Sequence, residues 1–130
     1  MIYLDKGLKM SKKNIVIIDD EDEILNMLEK FLTRSGYNVK TFNNPVNAIA
    51  GLSRDTDIVL LDIMMPQMNG LDALPKLLEK NKNVKVLMMT AYSTLDKVLK
   101  AHREGADDYI MKPFSSLDAL GKKIDEMLKK

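Results

Sequence analysis

An acid pair at Asp19-Asp20, a single acid at Asp62, a hydroxyl at Thr90 and an ammonium at Lys112 each close a short apolar run in this 130-residue chain. Apolar runs of this length read as strands buried in a parallel sheet, and open α/β sheets hold their ligands in the crevice beyond the strand carboxyl ends. Three carboxylates gathered in one crevice repel each other by about 4 kcal/mol per pair at 4 Å and an effective dielectric near 20, so they call for a cation. Oxygen donors select a hard ion, and a chain with one histidine and no cysteine is a poor host for zinc, copper or iron. Mg²⁺, with Mn²⁺ as the alternative, suits a site of two or so carboxylates completed by waters and a phosphate. A carboxylate beside such an ion, an ammonium and a hydroxyl is the set that phosphoryl transfer needs. The chemistry converges on Asp62 as phosphoacceptor. Taken singly, each residue has an ordinary reading: Asp19 and Asp20 as helix caps, Asp62 as a turn residue, Thr90 as a β-branched strand residue, Lys112 as a solvated charge.

The elements that must carry these residues follow from hydrophobic periodicity. Buried-type strands are predicted at Asn14-Ile15-Val16-Ile17-Ile18, at Ile58-Val59-Leu60-Leu61 running into Asp62, over 84–89 and over 108–111, with an alternating, edge-like strand over 37–42. Between them lie amphipathic helices. The first carries Ile24, Leu25, Leu28, Phe31 and Leu32 on one face and stops at Ser35-Gly36, with a capping box from Asp20 to Glu23. Asn44-Pro45 opens the second, and Leu71, Leu74, Leu77 and Leu78 face inward on the third, where Pro75 predicts a late start or a kink. The fourth starts at Ser93 or Thr94 and ends at Gly105, and the fifth starts at Ser115 or Ser116. Strict alternation of five strands and five helices calls for a parallel sheet with right-handed crossovers and helices on both faces.

Composition narrows the function. Twenty Lys plus Arg against 19 Asp plus Glu leave no basic field, which disfavours direct nucleic-acid binding. The absence of cysteine removes disulfides, thiolate metal sites and thiol catalysis, and fits the cytoplasm. No apolar run is long enough to span a membrane, and none resembles a signal peptide. Residues 1–13 are expected to form a flexible extension, and 14–130 one domain. His102 is expected to be a half-buried helix residue, and the lysines at 122, 123, 129 and 130 a solvated face. The ten methionines are mostly core filler, although Met64, Met65 and Met68 could line a partner groove.

Four pieces in order, Asp19-Asp20, the run from Asp62 through Pro66 to Gly70, Thr90-Ala91, and Gly105-Ala106-Asp107-Asp108-Tyr109 leading to Lys112-Pro113-Phe114, make residues 14–129 resemble a response-regulator receiver domain of two-component signalling. The resemblance implies a flavodoxin-like, three-layer doubly wound fold with a five-stranded parallel sheet in the order 2-1-3-4-5. It implies that Asp62 takes its phosphoryl group from a phosphohistidine on a sensor histidine kinase or a histidine phosphotransfer protein. Asp20 would bind Mg²⁺ directly, Asp19 largely through water, and the Met64 backbone carbonyl would complete the protein ligands with Asp62. Lys112 and Thr90 would contact the phosphoryl oxygens. Tyr109 would turn inward as Thr90 moves, remodelling the face of the fourth helix, fifth strand and fifth helix for a downstream protein. The Lys112-Pro113 bond is expected to be cis.

Three functional readings compete. The first is a stand-alone signalling switch that catalyses only its own phosphorylation and slow autodephosphorylation, monomeric or weakly dimeric through that last face. The second is a receiver excised from a longer DNA-binding transcriptional regulator, although lysines stand on the last helix where dimerising receivers often carry arginines. The third, an aspartyl-phosphate phosphatase, fits poorly, because the first strand ends in adjacent acids and no glycine-rich phosphate loop is present. Met64 and Tyr92 flank Asp62 and are expected to shield its phosphoryl group from water.

Overall fold

The computed structural model describes residues 12–91 and 95–129, with the backbone alone at Leu95 and at two short strands near the N-terminus. Those two strands, Tyr3–Leu4 and Leu8–Lys9, pair antiparallel as a separate ribbon. The rest of the expected flexible extension through residue 11, together with Tyr92 and the Ser93 and Thr94 cap positions, lies outside the described residues.

The domain alternates β1 (Asn14–Ile18), α1 (Asp22–Arg34), β2 (Asn38–Phe42), α2 (Pro45–Gly51), β3 (Ile58–Asp62), α3 (Gly70–Lys80), β4 (Lys85–Thr90), α4 (Leu95–Arg103), β5 (Asp108–Met111) and α5 (Leu117–Leu128). The five strands are parallel, and their spatial order is 2-1-3-4-5. Successive side chains of a strand point to opposite faces, so each inner strand feeds two cores. Ile58 and Leu60 of β3 pack with Ile15, Ile17 and Leu87 against Leu25, Leu28 and Leu32 of α1 and Leu120 and Ile124 of α5. Val59 and Leu61 pack with Val16, Ile18 and Val86 against Ala48 of α2, Leu74 and Leu77 of α3 and Ala101 of α4. The result is a three-layer sandwich whose middle strand is buried along its whole length, whereas β2 and β5 form half-exposed edges.

Local chemistry sets the helix ends. Asn44 caps α2 by accepting the Val46 N–H with Pro45 in the first turn, Asn69 caps α3 by accepting the Leu71 N–H, and Ser116 caps α5 by accepting the Ala119 N–H. Gly36 (φ 100°) and Gly105 (φ 109°) turn left-handed after α1 and α4. One expectation fails here, and of the two alternatives that Pro75 left open for α3 one is excluded. The capping box does not form, because α1 starts after Glu21 and Asp19 Oδ1 accepts the Glu21 N–H at 2.9 Å. α3 does not start late: Asn69 supplies the cap at Gly70, and Pro75 sits inside the helix. No helix among the described residues is long and apolar enough to cross a membrane.

Candidate functional site

The strand order reverses direction between β1 and β3, and a crevice opens at the carboxyl ends of strands that flank such a switch point. β1 delivers Asp19 and Asp20 to that crevice and β3 delivers Asp62. One carboxylate oxygen from each of the three lies within 4.8 Å of the others. Asp19 and Asp62 are buried, while Asp20 opens toward solvent. Lys112, just beyond β5, reaches across from the far side of the sheet. Its Nζ lies 2.5 Å from Asp19 Oδ2 and 3.3 Å from Asp62 Oδ1. Thr90 ends β4 and is 1% exposed, and its carbonyl oxygen accepts the Lys112 N–H at 2.8 Å, which ties the end of β5 to that of β4. The Lys112-Pro113 bond is cis, as expected.

The electrostatics are those of a site short of positive charge. Burial pushes the Asp62 carboxyl up to about 7, with a further push from the Asp19 charge, and Lys112 offsets only part of this. Burial also raises Asp19, against the pull of Lys112 and of the Glu21 N–H. Lys112 itself is raised: burial disfavours its charged form, but the hydrogen bond to Asp19 and the charges of Asp19 and Asp62 outweigh it. Among the described residues, an oxygen-only set of three acids served by the Lys112 ammonium suits a hard divalent cation held by Asp19, Asp20 and Asp62. Such an ion would favour the ionised carboxylates that burial and mutual repulsion oppose.

The structure brings together Asp19, Asp20, Asp62 and Lys112 and sets Thr90 on the neighbouring strand end, whereas the Tyr109 side chain faces elsewhere. Tyr109 is 40% exposed and borders, with Val98 and His102, a cavity of about 230 Å³ between α4 and β5. Met64 exposes about half its side chain, while Met65 is buried and Met68 packs on the core, so the three do not line one groove. His102 is exposed rather than half-buried, because its neighbour Ala101 takes the inward position on α4. Lys123 is not merely solvated, since it pairs with Asp108 at 3.1 Å.

Two contributors escape a reading of the sequence. Glu21 places Oε1 3.4 Å from Lys112 Nζ, for which the only signal is an acidic run that also fits a helix start. Gly70 packs onto the backbone of Asp62: a Cβ there would lie 2.2 Å from the Asp62 carbonyl oxygen. The Gly70 N–H donates to the Ile63 carbonyl oxygen at 2.7 Å, closing the loop over 63–69 against the strand end.

Comparison with known proteins agrees with this geometry. The DNA-binding transcriptional regulator NtrC of Proteus hauseri is 38% identical over 106 residues, covering 81% of this chain and 22% of that protein. The chain spans less than half the length of the curated relatives it matches. A CheY-like response regulator receiver domain protein from Methanospirillum hungatei JF-1 superposes with a TM-score of 0.82 at 33% identity, covering 92% of this chain and 95% of that one. A response regulator protein from Burkholderia pseudomallei, solved with a phosphorylated aspartic acid, calcium ion and citrate, superposes with a TM-score of 0.74 at 25% identity, covering 92% of this chain and 75% of that one. Residues 15–125 match the family model described as the response regulator receiver domain, and with the switch-point acids, the strand order and these relatives the chain belongs to that family.

Proposed function

We propose that this receiver is a phosphoacceptor switch in which Asp62 takes a phosphoryl group from a phosphohistidine on a sensor histidine kinase or histidine phosphotransfer protein. The observation that carries the reading is the buried Asp62 carboxylate at the end of β3, 3.3 Å from Lys112 Nζ and clustered with Asp19 and Asp20. An Asp62 oxygen lone pair forms the new O–P bond as the bond from phosphorus to the donor breaks, and the donor leaves with that electron pair. Lys112 meets the phosphoryl oxygens with its ammonium, and Thr90 supplies a hydroxyl. Asp19, Asp20, Asp62 and the Met64 carbonyl would hold Mg²⁺, or Mn²⁺ in its place. When bound, the ion neutralises charge on the phosphoryl oxygens.

The transfer adds nearly two negative charges and three strong acceptors, and this biases the end of β4, where Thr90 lies. Tyr109 then fills space beside α4, and the α4-β5-α5 face changes for a downstream protein. The chain acts in the cytoplasm as a switch, not as a turnover enzyme, and catalyses only its own phosphorylation and slow dephosphorylation. One observation favours a second reading, a receiver module of a longer transcriptional regulator: NtrC, which this chain matches over about a fifth of its length, is a DNA-binding regulator. DNA contact would then lie outside these 130 residues.

Mass spectrometry after incubation with acetyl phosphate and MgCl₂ tests the core of the proposal. One added phosphoryl group per chain is expected in the parent and none in Asp62→Asn. No adduct in the parent, or an undiminished adduct in Asp62→Asn, would overturn it.

A further inference from the structure

Glu21 stands at the N-cap of α1 but caps nothing, since its side chain makes no cap hydrogen bond. Short side chains such as Ser, Thr, Asp and Asn do that work, and glutamate is not among them. Instead its carboxylate lies at the mouth of the acidic crevice, 61% exposed, with Oε1 3.4 Å from Lys112 Nζ. Lys112 therefore has three carboxylate partners of two kinds. Asp19 and Asp62 hold it from inside and are almost fully buried, whereas Glu21 draws on it from the solvent side.

We infer that Glu21 is an electrostatic gate on phosphorylation, a rate-determining outer partner of Lys112 that slows transfer from anionic phosphodonors. The inference rests on the function proposed above. Two effects act in the same direction. The Glu21 charge competes with the incoming phosphoryl oxygens for the Lys112 ammonium, and it adds a further negative charge beside the three clustered acids, where an anionic donor must enter. Because Glu21 is exposed, its effect is modest and sensitive to salt. Asp19 and Asp62 are shielded, so salt changes their contacts with Lys112 far less.

The test compares initial rates of phosphorylation by acetyl phosphate in the parent and in Glu21→Gln, at saturating MgCl₂, in low salt and in about 1 M salt, where the Debye length falls to about 3 Å. Glu21→Gln is expected to react roughly two- to fivefold faster at low salt, the size an exposed ion pair carries, and at the parent's rate at high salt. Its melting temperature should stay within a few degrees of the parent's, because no cap hydrogen bond is lost and an exposed ion pair adds little to stability. A parent that reacts while Glu21→Gln reacts at the same or a lower rate in low salt overturns the gate and leaves the phosphoacceptor assignment standing. An acceleration that salt does not diminish also overturns it, since the effect would then not be electrostatic. A parent that does not react at all overturns the function on which the gate rests.

Discussion

Gly70 lies against the backbone of Asp62 so closely that a Cβ at position 70 would come within 2.2 Å of the Asp62 carbonyl oxygen and 2.9 Å of Ile63 Cα. Both neighbours are backbone in a buried strand end, so neither can turn aside as a flexible side chain would. Gly70→Ala is therefore expected to push the start of α3 off β3 and shift the Asp62 carboxylate. Overpacking of this kind costs about 1–3 kcal/mol, which should lower the melting temperature by roughly 3–15 °C. Displacement of a reacting atom by about 1 Å can cost about a hundredfold in rate. Phosphorylation by acetyl phosphate should fall at least tenfold, and a variant that melts and reacts like the parent would contradict this role.

The Asp62 carboxyl gives a pH dependence of definite sign. Its folded value, about 7, lies above the 3.8 of a free aspartate, so between these two the folded state binds the extra proton. Stability from this group is present below the unfolded value and is lost as pH rises through the folded one. In metal-free buffer with EDTA, Asp62→Asn should thus stabilise the domain at pH 8 by about 1 kcal/mol or more, and the gain should shrink toward pH 5. Urea unfolding of the two proteins at both pH values reads this directly, and a gain that grows on acidification would refute it.

Metal should offset the same repulsion. With Mg²⁺ at about 100 times its dissociation constant, the parent should gain about 2.7 kcal/mol of stability. Removal with EDTA should reverse the gain. Asp20→Asn, which leaves the buried Asp19–Lys112 pair intact, should lose most of the thermal shift. An equal shift in parent and variant would remove Asp20 from the ligand set.

Asp107 pins the entry of β5 to β4: its Oδ2 accepts the Val86 N–H at 2.8 Å, and its own N–H donates to the Val86 carbonyl oxygen at 2.9 Å. Val86 is fully buried, so Asp107→Ala strips the acceptor from an N–H with no access to water. A loss of about 1–3 kcal/mol is expected in denaturant unfolding. Asp107→Asn keeps a carbonyl oxygen there and should recover most of it. If both variants unfold alike, the Val86 hydrogen bond is not the cause.

Element types, their order and the candidate residues are legible in the sequence, because periodicity, Asn and Ser caps and left-handed glycines are local signals. Solidly apolar β3 and alternating β2 already distinguish the central strand from an edge. Gly36 and Gly105 mark helix ends in any context. Acids and a lysine at strand ends were likewise legible, and their resemblance to receivers placed them in one crevice. Local signals misled where tertiary contacts compete. Asp19 turns back to the Glu21 N–H and to Lys112, so no capping box forms at Asp20, and Lys123 finds Asp108 instead of solvent. Long-range packing is what brings Glu21 to Lys112, sets Gly70 against the Asp62 backbone and, by burial, pushes the Asp62 carboxyl up to about 7. Lys112 and Asp19 are 93 residues apart in the chain yet in contact, and that distance is set by strand order and register, which no local pattern encodes.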